Sequence, residues 1–333
     1  MSDEEQSMSY VDLPPLKKGD RVYNKDGRRF YEIISNTVNE GGFGRIYKVY
    51  GSRKNKDGSR HVDALKEFCL NDDSNRSRSS MGDYTRIYNS AKIDLMVKKF
   101  KMEVELLKEL NKQKDRHVPV VHYKEFWDED RLFYVMTYID GPTLTDVVEE
   151  NGVMTEEAAV GYIVQIGKVL YKAHKWGLMH CDISPNNIML DGDFAVLVDF
   201  GNAKSYDQLL VSLDEAPQNV IEEMELAGTP GFSPSPIYIG SPQGDVYSLA
   251  ATLFYLLTGS KVGTLETERA CDKLIAKLIN RKISIETIYA IMNALKLDSS
   301  NSTKDAKTFL SQLPYNIVFN SLLNYNDHDY NKR

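Results

Sequence analysis

Three polar side chains near the middle of the chain are of the types that hold a metal-bound phosphate. Asp182 and Asn187 lie five residues apart in a stretch where Pro185 prevents a regular helix, and Asp199 follows an apolar strand predicted at 194–198. Carboxylate and amide oxygens are the ligands that Mg²⁺ prefers, and an aspartate without a metal can accept a proton. Either loop alone could be an ordinary turn. The two in this order indicate a site for a Mg²⁺-bound phosphate.

A lysine on a predicted strand is a second candidate for phosphate chemistry. A charge on a half-buried strand is costly unless it is paired, so Lys66 is either an exposed edge lysine or one that is held by a carboxylate. Glu103, on a helix predicted at 93–110, could supply that carboxylate, and Glu105 is the alternative. Glu103 is favoured because Leu107, one turn further on, continues the same inward-facing stripe.

A glycine cluster precedes that lysine. Residues 39–44 read Asn-Glu-Gly-Gly-Phe-Gly, with a strand predicted on either side. Glycine allows positive φ angles and close backbone approach, so such clusters also occur in plain turns. A dinucleotide fingerprint would place the loop between a strand and a helix, whereas a flap between two strands can lay its amide groups over a polyphosphate. On this loop alone, turn and phosphate flap stay equal alternatives.

The elements that must position these residues change character near residue 140. Strand signals come before it, at residues 30–34, 46–50, 62–68, 118–127 and 132–139. Helical patterns come after it, first from the N-cap Thr155 and then at residues 245–258, 268–280, 285–296 and 304–313. Residues 1–28 are polar and predict an extension with little core. Residues 67–100 contain a polar, Ser- and Arg-rich insertion.

Composition limits the class of protein. The 333 residues are 42% apolar and 27% charged, with a net charge of −7. That apolar share can build a sizeable core, and an acidic chain is a poor candidate for nonspecific nucleic-acid binding. The separated cysteines Cys69, Cys181 and Cys271 form neither a disulfide framework nor a metal cluster. No apolar stretch reaches the about 20 residues that cross a bilayer. We expect a soluble, cytoplasmic protein without a membrane span.

The motifs together resemble the protein kinases, specifically the eukaryotic-like serine/threonine kinases of bacteria. The resemblance covers roughly residues 29–315 and rests on the glycine-rich loop 39–46, Lys66, Glu103, the catalytic loop 180–187, the triplet 199–201, and the segments 228–232 and 245–249. Their joint occurrence in the family's order makes a chance match very improbable.

The resemblance implies an α+β, bilobed protein kinase-like fold with ATP between the lobes. The small β-rich lobe, with one main helix, would occupy residues 29–140, and the larger, mostly helical lobe residues 141–315. Residues 1–28 would be an N-terminal extension, 67–100 an insertion into the first lobe, and 316–333 a polar C-terminal tail.

The resemblance also implies a role for each matching residue. Asp182 would orient the substrate hydroxyl and accept its proton, Asn187 and Asp199 would bind Mg²⁺, and Lys66, paired with Glu103, would hold the α- and β-phosphates of ATP. The other predicted nucleotide-binding positions are Asn39, Gly41, Gly42, Phe43, Gly44, Ile46, Ala64, Met136, Thr137, Ile139 and Met189. Among them Met136 would be the gatekeeper, and backbone groups of Thr137 and Ile139 would meet adenine. Thr229 would contact Asp182, and Asp245 would anchor the catalytic loop.

Some positions depart from the family pattern. Asn39 replaces the first glycine, and asparagine tolerates left-handed backbone. Cys181 replaces an arginine that usually receives a phosphate on the activation segment, so we hypothesise that activity does not need that phosphorylation. Ser184 replaces a lysine that meets the transferred phosphoryl group, which predicts real but reduced activity with Ser184 as a weaker donor. Pro236 and Ser302 occupy both positions of a buried ion pair, which predicts an alternative packing.

The leading prediction is a serine/threonine protein kinase that transfers the γ-phosphoryl group of Mg·ATP to a protein hydroxyl. Two alternatives stay open: a pseudokinase that binds ATP as a scaffold, and a small-molecule kinase, which usually lacks the segment 228–232. Residues 202–227 hold six acidic residues against one basic residue, which favours a protein substrate with a basic context. The insertion 67–100 is predicted to be a solvated loop, with a regulatory segment as the alternative.

Overall fold

The computed structural model divides into two compact units, of which the first contains residues 1–111 and 119–139 and the second residues 112–118 and 140–333. The structure describes residues 13–36, 39–41, 44–54, 57–69, 90–112, 114–205, 228–235, 238–263, 268–297, 300, 302–314 and 316–317.

The first unit is built on a seven-stranded antiparallel sheet. Its strands are β1 (Arg21–Tyr23), β2 (Phe30–Ile33), β3 (Asn39–Gly41), β4 (Gly44–Lys54), β5 (Arg60–Phe68), β6 (Val121–Asp128) and β7 (Arg131–Thr137). Their order across the sheet is β1-β2-β4-β5-β7-β6, and β3 pairs with β4. The strands predicted from β-forming runs are therefore confirmed, with ends that differ by a few residues.

The helix α1 (Ser90–Lys112) packs against one face of this sheet. The ring of Phe100 on α1 lies 5.6 Å from that of Phe68 on β5 and 5.2 Å from that of Tyr134 on β7, measured between centroids. Because side chains alternate along a strand, Lys66 shares this inner face with Phe68, whereas Leu65 points to the outer face. Leu65 belongs there to an apolar cluster with Val22, Tyr31, Ile33, Tyr47, Val49, Phe126, Phe133 and Val135.

The expectation that residues 1–28 are an extension missed strand β1, which lies within the described residues 13–28. Strand β1 pairs with β2, Val22 is 1% exposed within the outer cluster, and Leu16 packs against the same cluster. A three-residue strand with a single apolar side chain carries no alternation that a sequence pattern could reveal, since the signal needs about four to eight residues.

The predicted insertion 67–100 is wrong at both ends. Glu67 and Phe68 are the last residues of β5 and are buried, and α1 already begins at Ser90. The first turn of α1 is polar, so its sequence does not distinguish it from a loop. Residues 70–89, which hold the Ser- and Arg-rich part of the insertion, lie outside the described residues.

The second unit is mostly helical. Its helices are α2 (Leu144–Asn151), α3 (Glu156–Lys175), α4 (Pro242–Thr258), α5 (Glu268–Asn280), α6 (Ile285–Leu295) and α7 (Ala306–Gln312). Thr155 caps α3 as predicted, because its side chain accepts a hydrogen bond from the Ala158 amide at 3.3 Å. Helix α4 is buried along almost its whole length and packs against α3 and α6, which makes it the centre of this unit.

Short strands in the second unit flank the residues predicted to do chemistry. A hairpin pairs β9 (Ile188–Asp191) with β10 (Phe194–Leu197), and β8 (Leu178–Met179) pairs with β11 (Lys204–Ser205). Both pairs flank the loop 180–187 and the triplet 199–201. None of the helices in the described part of the chain is long and apolar enough to cross a membrane.

Candidate active site

The Asp182 carboxylate lies at the centre of a hydrogen-bond network in the second unit. Thr229 donates its hydroxyl to Oδ1 at 2.7 Å, and Asn187 donates its side-chain amide to Oδ2 at 3.0 Å. Asn202 donates a further amide hydrogen bond to Oδ2 at 3.4 Å. The predicted contact between Thr229 and Asp182 is confirmed. The carboxylate is thus held on both oxygens by groups that only donate to it.

Asn187 and Asp199 are brought together by backbone pairing. The Val198 amide donates to the Asn187 carbonyl at 2.9 Å, so Asp199 is the next residue along the chain from that contact. The Asn187 side chain donates two hydrogen bonds from Nδ2, one to the Asp182 carbonyl at 2.9 Å and one to its carboxylate at 3.0 Å. A ligand oxygen from Asn187 would therefore be Oδ1, and its role toward a metal ion stays a prediction.

This donor set fits Mg²⁺ in its chemistry, because it offers one amide oxygen and one carboxylate. Among the described residues, no three or more His, Cys, Asp or Glu side chains form a group that could hold a metal ion by themselves. Mg²⁺ usually keeps several waters and takes one or two protein carboxylates plus substrate phosphates. Asn187 and Asp199 would thus hold the ion together with the phosphates of a nucleotide.

Asp245 fixes the backbone of the catalytic loop from inside helix α4. Its carboxylate accepts the amides of His180 at 2.8 Å and Cys181 at 2.9 Å, and Nε2 of His174 at 2.9 Å. Burial alone would raise the pKa of Asp245, but the hydrogen bond and charge of His174, with the His180 amide, hold that pKa below its usual value. The predicted anchoring role of Asp245 is confirmed by these contacts.

Cys181 occupies an apolar environment where the family pattern has an arginine. It has a φ angle of 65° and packs in a small cluster with Met179 and Ile239. Burial, and then the Asp245 carboxylate, raise the pKa of the Cys181 thiol above its usual value, so the side chain is neutral. At this position the chain therefore presents no cation to a phosphorylated activation segment.

Ser184 is fully buried, and its hydroxyl has no hydrogen-bond partner among the described residues. A buried unpaired hydroxyl costs about 1–3 kcal/mol, so a group that reached Oγ would relieve that cost. The role of Ser184 as a donor to the phosphoryl group stays a prediction, since the hydroxyl would have to become accessible.

The predicted pairing of Lys66 with Glu103 is observed in the first unit. Nζ of Lys66 lies 2.7 Å from Oε1 and 2.8 Å from Oε2 of Glu103, and the two side chains are 4% and 2% exposed. Glu105, the alternative, is 66% exposed and pairs with Lys108. Helix α1 presents Glu103 inward because Leu107, at 1% exposure, continues the buried stripe.

The glycine cluster lies in a hairpin between two strands, not between a strand and a helix. In the register of β3 and β4, Asn39 faces Ile46 and Gly41 faces Gly44. A Cβ atom on Gly44 would stand 2.6 Å from the Glu67 carbonyl oxygen, which no side chain tolerates. Close packing of β4 on β5 therefore requires this glycine. Gly42 and Phe43 lie outside the described residues.

The positions predicted around adenine lie on neighbouring strands of the first unit, except Ile139, which follows β7, and Met189. Ala64 and Met136 face each other across β5 and β7, and both are buried, as is Ile139. The Thr137 amide donates to the Val120 carbonyl at 2.9 Å. Met189, half-buried, lies on β9 in the second unit and forms a bridge with Thr143. Their roles toward a nucleotide stay predictions.

The sequence did not reveal two polar contacts near these residues. Asn202 directly follows the triplet 199–201, and only that adjacency could have indicated its bond to Asp182. Gln243 on α4 donates to the Ser302 hydroxyl at 2.7 Å and to the Leu297 carbonyl at 3.0 Å. At the predicted position of a lost ion pair, Ser302 thus makes a neutral hydrogen bond. Pro236, the other replaced position, lies outside the described residues.

Comparison with known proteins agrees with this arrangement. A family model described as the protein kinase domain matches residues 34–316. The serine/threonine-protein kinase PknA of Nostoc sp. is 29% identical over 238 residues, which cover 70% of this chain and 41% of that protein. The serine/threonine-protein kinase cds1 of Schizosaccharomyces pombe is 28% identical over 62% of this chain and 46% of its own length. The chain spans less than half the length of these relatives.

Two solved structures have the same fold. A crystal structure of Rad53 residues 1–466 in complex with AMP-PNP has a TM-score of 0.57 at 20% identity, over 85% of this chain and 64% of that one. A structure of the Rad53 kinase domain and SCD2 has a TM-score of 0.55 at 17% identity, over 87% of this chain and 97% of that one.

Proposed function

Because the chain belongs to the protein kinase domain family, we propose that it transfers the γ-phosphoryl group of ATP to serine or threonine hydroxyls of proteins. The observation that carries the proposal is the Asp182 carboxylate, which Thr229 and Asn187 hold at 2.7 Å and 3.0 Å. A fixed carboxylate beside an Mg²⁺-competent amide and a second aspartate is the set of groups that phosphoryl transfer to a hydroxyl requires.

In the proposed reaction, Asp182 orients the substrate hydroxyl and accepts its proton as the oxygen attacks the γ-phosphorus. The bond from that phosphorus to the oxygen bridging the β-phosphate breaks, and ADP leaves. Lys66, held by Glu103, binds the α- and β-phosphates, and Asn187 and Asp199 bind Mg²⁺. When bound, Mg²⁺ neutralises charge on the phosphates. Ser184 in place of a lysine predicts a turnover below that of a lysine-containing relative.

The observations favour this activity over the two alternatives. A pseudokinase typically lacks at least one of these groups, yet Lys66, Asp182, Asn187 and Asp199 are all present, and Lys66 is paired. A small-molecule kinase usually lacks the segment 228–232, whose Thr229 here bonds directly to Asp182. The proposal includes a preference for basic residues around the phosphorylated hydroxyl of the protein substrate. This preference is inferred from the excess of acidic residues in 202–227. The cytoplasmic location predicted from cysteine usage stays a prediction.

The test is transfer of labelled phosphate from γ-labelled ATP to a generic basic protein, followed by phosphoamino-acid analysis. Wild type should label serine or threonine, and Asp182→Asn should lose activity about 10²–10⁴-fold. Asp193→Asn is the matched control, because it makes the same change at an exposed position of the neighbouring β9–β10 hairpin. Binding of ATP without any transfer would favour the pseudokinase. Labelling of an aminoglycoside or choline but no protein would favour the small-molecule kinase.

A further inference from the structure

Residues 13–16, which we call the strap, run across the outer face of the sheet in the first unit. Buried side chains of the sheet hold the strap by its backbone. Nη1 of Arg45 donates to the Leu13 carbonyl at 2.7 Å, and Nη2 of Arg131 donates to the Pro14 carbonyl at 2.7 Å. The Leu16 amide in turn donates to the Tyr47 hydroxyl at 3.2 Å. Three successive contacts thus fix the strap regardless of its side chains.

One carboxylate connects these three anchors. Glu67 accepts the Tyr47 hydroxyl at 2.6 Å, forms an ion pair with Arg131, and lies 4.0 Å from Nη1 of Arg45. The side chains of Arg45 and Glu67 are 7% and 3% exposed. Burial, and then the Glu67 carboxylate, raise the pKa of Tyr47 above its usual value, so its hydroxyl keeps the proton that it donates. Buried charges of this kind are stable only while every partner is in place.

The same residues lie beside the nucleotide-binding groups. Arg45 follows Gly44, the last glycine of the hairpin, and Glu67 follows Lys66 on β5. Arg45 on β4 faces Glu67 on β5. The next pair in this register is Ile46 with Lys66. The Glu67 carbonyl is also the atom against which Gly44 packs. A shift of Arg45 or Glu67 on the outer face would therefore move the base of the hairpin and the Lys66 backbone on the inner face.

We propose that the strap, through Arg45 and Glu67, positions the glycine hairpin and Lys66, so that release of the strap weakens ATP binding. This inference rests on the proposed function in so far as it names ATP. Without the strap, Arg45 and Arg131 lose carbonyl acceptors, and the outer cluster loses the cover of Leu16. A partner that bound the N-terminal segment would thus lower nucleotide affinity without touching the catalytic loop.

The test compares full-length wild type with Leu16→Asp, which places a charge where the strap packs on the outer cluster. Leu16→Ala is a milder variant in case the first does not fold. Lys25→Gln is the matched control, since it makes the same change of charge at an exposed position of the same N-terminal part of the chain and leaves both reporter cleavage sites intact. Trypsin cleavage after Lys17 and Lys18 reports release of the strap. Affinity for ATP and hydrogen exchange of the amides in residues 39–50 report its effect on the hairpin.

We expect Leu16→Asp to speed cleavage, to accelerate exchange in the hairpin, and to weaken ATP binding about fivefold or more. Phosphate transfer at saturating ATP should stay within about twofold of wild type, because the catalytic loop is untouched. Faster cleavage with unchanged ATP affinity and unchanged exchange would show that the strap is only a cover. If wild type bound no ATP, the proposed function would fail, and exchange in the hairpin would still decide whether the strap positions it.

Discussion

The hydrogen bonds around Asp182 are distributed unequally between its two carboxylate oxygens. A carboxylate offers about four acceptor positions; among the described residues, Oδ2 accepts from the amides of Asn187 and Asn202, and Oδ1 accepts from Thr229 alone. In the proposed reaction, the remaining position on Oδ1 is the one that a substrate hydroxyl would use. The two amides on Oδ2 fix the plane of the carboxylate, which is what orientation of that hydroxyl requires.

The buried charge of Asp245 predicts an acid-dependent loss of stability. A carboxyl group whose pKa is lower in the folded than in the unfolded protein contributes stability above its unfolded pKa, here an ordinary 3.8. That contribution is lost as the pH falls through the folded pKa. Asp245→Asn removes it, so the variant should be less stable by about 1–3 kcal/mol at pH 7. The difference from wild type should shrink below about pH 4.

Urea unfolding at several pH values between 3 and 7 measures that difference. Asp146→Asn is a suitable control, since Asp146 is an exposed helix-cap carboxylate in the same unit. A constant difference between Asp245→Asn and wild type at all pH values would contradict the assignment of a charged Asp245 in the folded protein.

The ion pair in the first unit predicts linked losses of stability and nucleotide binding. Glu103→Gln leaves the Lys66 ammonium buried without a full counter-charge, which should cost on the order of 3 kcal/mol of unfolding free energy. Glu105→Gln, two residues away on the exposed face of α1, should change stability by less than about 0.5 kcal/mol. Thermal unfolding with and without ATP measures both effects. Equal stability of the two variants would contradict a structural role for the pair.

At the scale of elements, helix α4 contacts the chain near residue 302 through a neutral hydrogen bond. The family pattern has a buried ion pair at the position of Ser302. Ser302 is 8% exposed, and its hydroxyl accepts from Gln243. Ser302→Arg would bury a charge at this point, and the structure shows no carboxylate bonded there among the described residues. We expect a loss of about 3 kcal/mol or more, whereas Ser302→Ala should cost about 1 kcal/mol. Chemical denaturation of both variants distinguishes them, and a stabilised Ser302→Arg would refute the neutral packing.

Elements with long periodic patterns could be predicted, and short ones could not. Helices α1 and α4 have apolar positions over several turns, and β2 has a run of β-formers, so their existence followed from pattern alone. Strand β1 was missed because its one buried apolar residue, Val22, pairs with Tyr31 of β2, nine residues further on. Tertiary pairing of this kind is not encoded in local periodicity.

The site was predictable to the extent that its residues are adjacent in sequence or match a family pattern. Asp182, Asn187 and Lys66 stood out by type and spacing, and Glu103 by its helical stripe. Asn202 and the Arg45–Glu67 contact depend on register and on side-chain direction, which a single sequence does not specify. The strap was missed for the same reason, since its hydrogen bonds use backbone carbonyls that every residue possesses.

At the scale of the whole molecule, the net charge of −7 is unevenly distributed along the sequence. Residues 202–227 hold six acidic residues and one basic residue. A local excess of negative charge attracts basic peptides over about one Debye length, roughly 8–10 Å at physiological ionic strength. The proposed preference for a basic substrate is therefore an electrostatic effect that salt should weaken.

A pair of acceptor peptides, one flanked by arginines and one by glutamates, tests this preference. The ratio of their kcat/KM values should favour the basic peptide and should fall as salt is raised, because screening shortens the reach of the charges. Neutralising Glu222, Glu223 and Glu225 to glutamine should reduce the ratio. The same change at Asp3, Glu4 and Glu5 removes as many charges from the N-terminus and should leave the ratio unchanged. An equal effect of both triple variants would assign the preference to net charge and contradict a local role of residues 202–227.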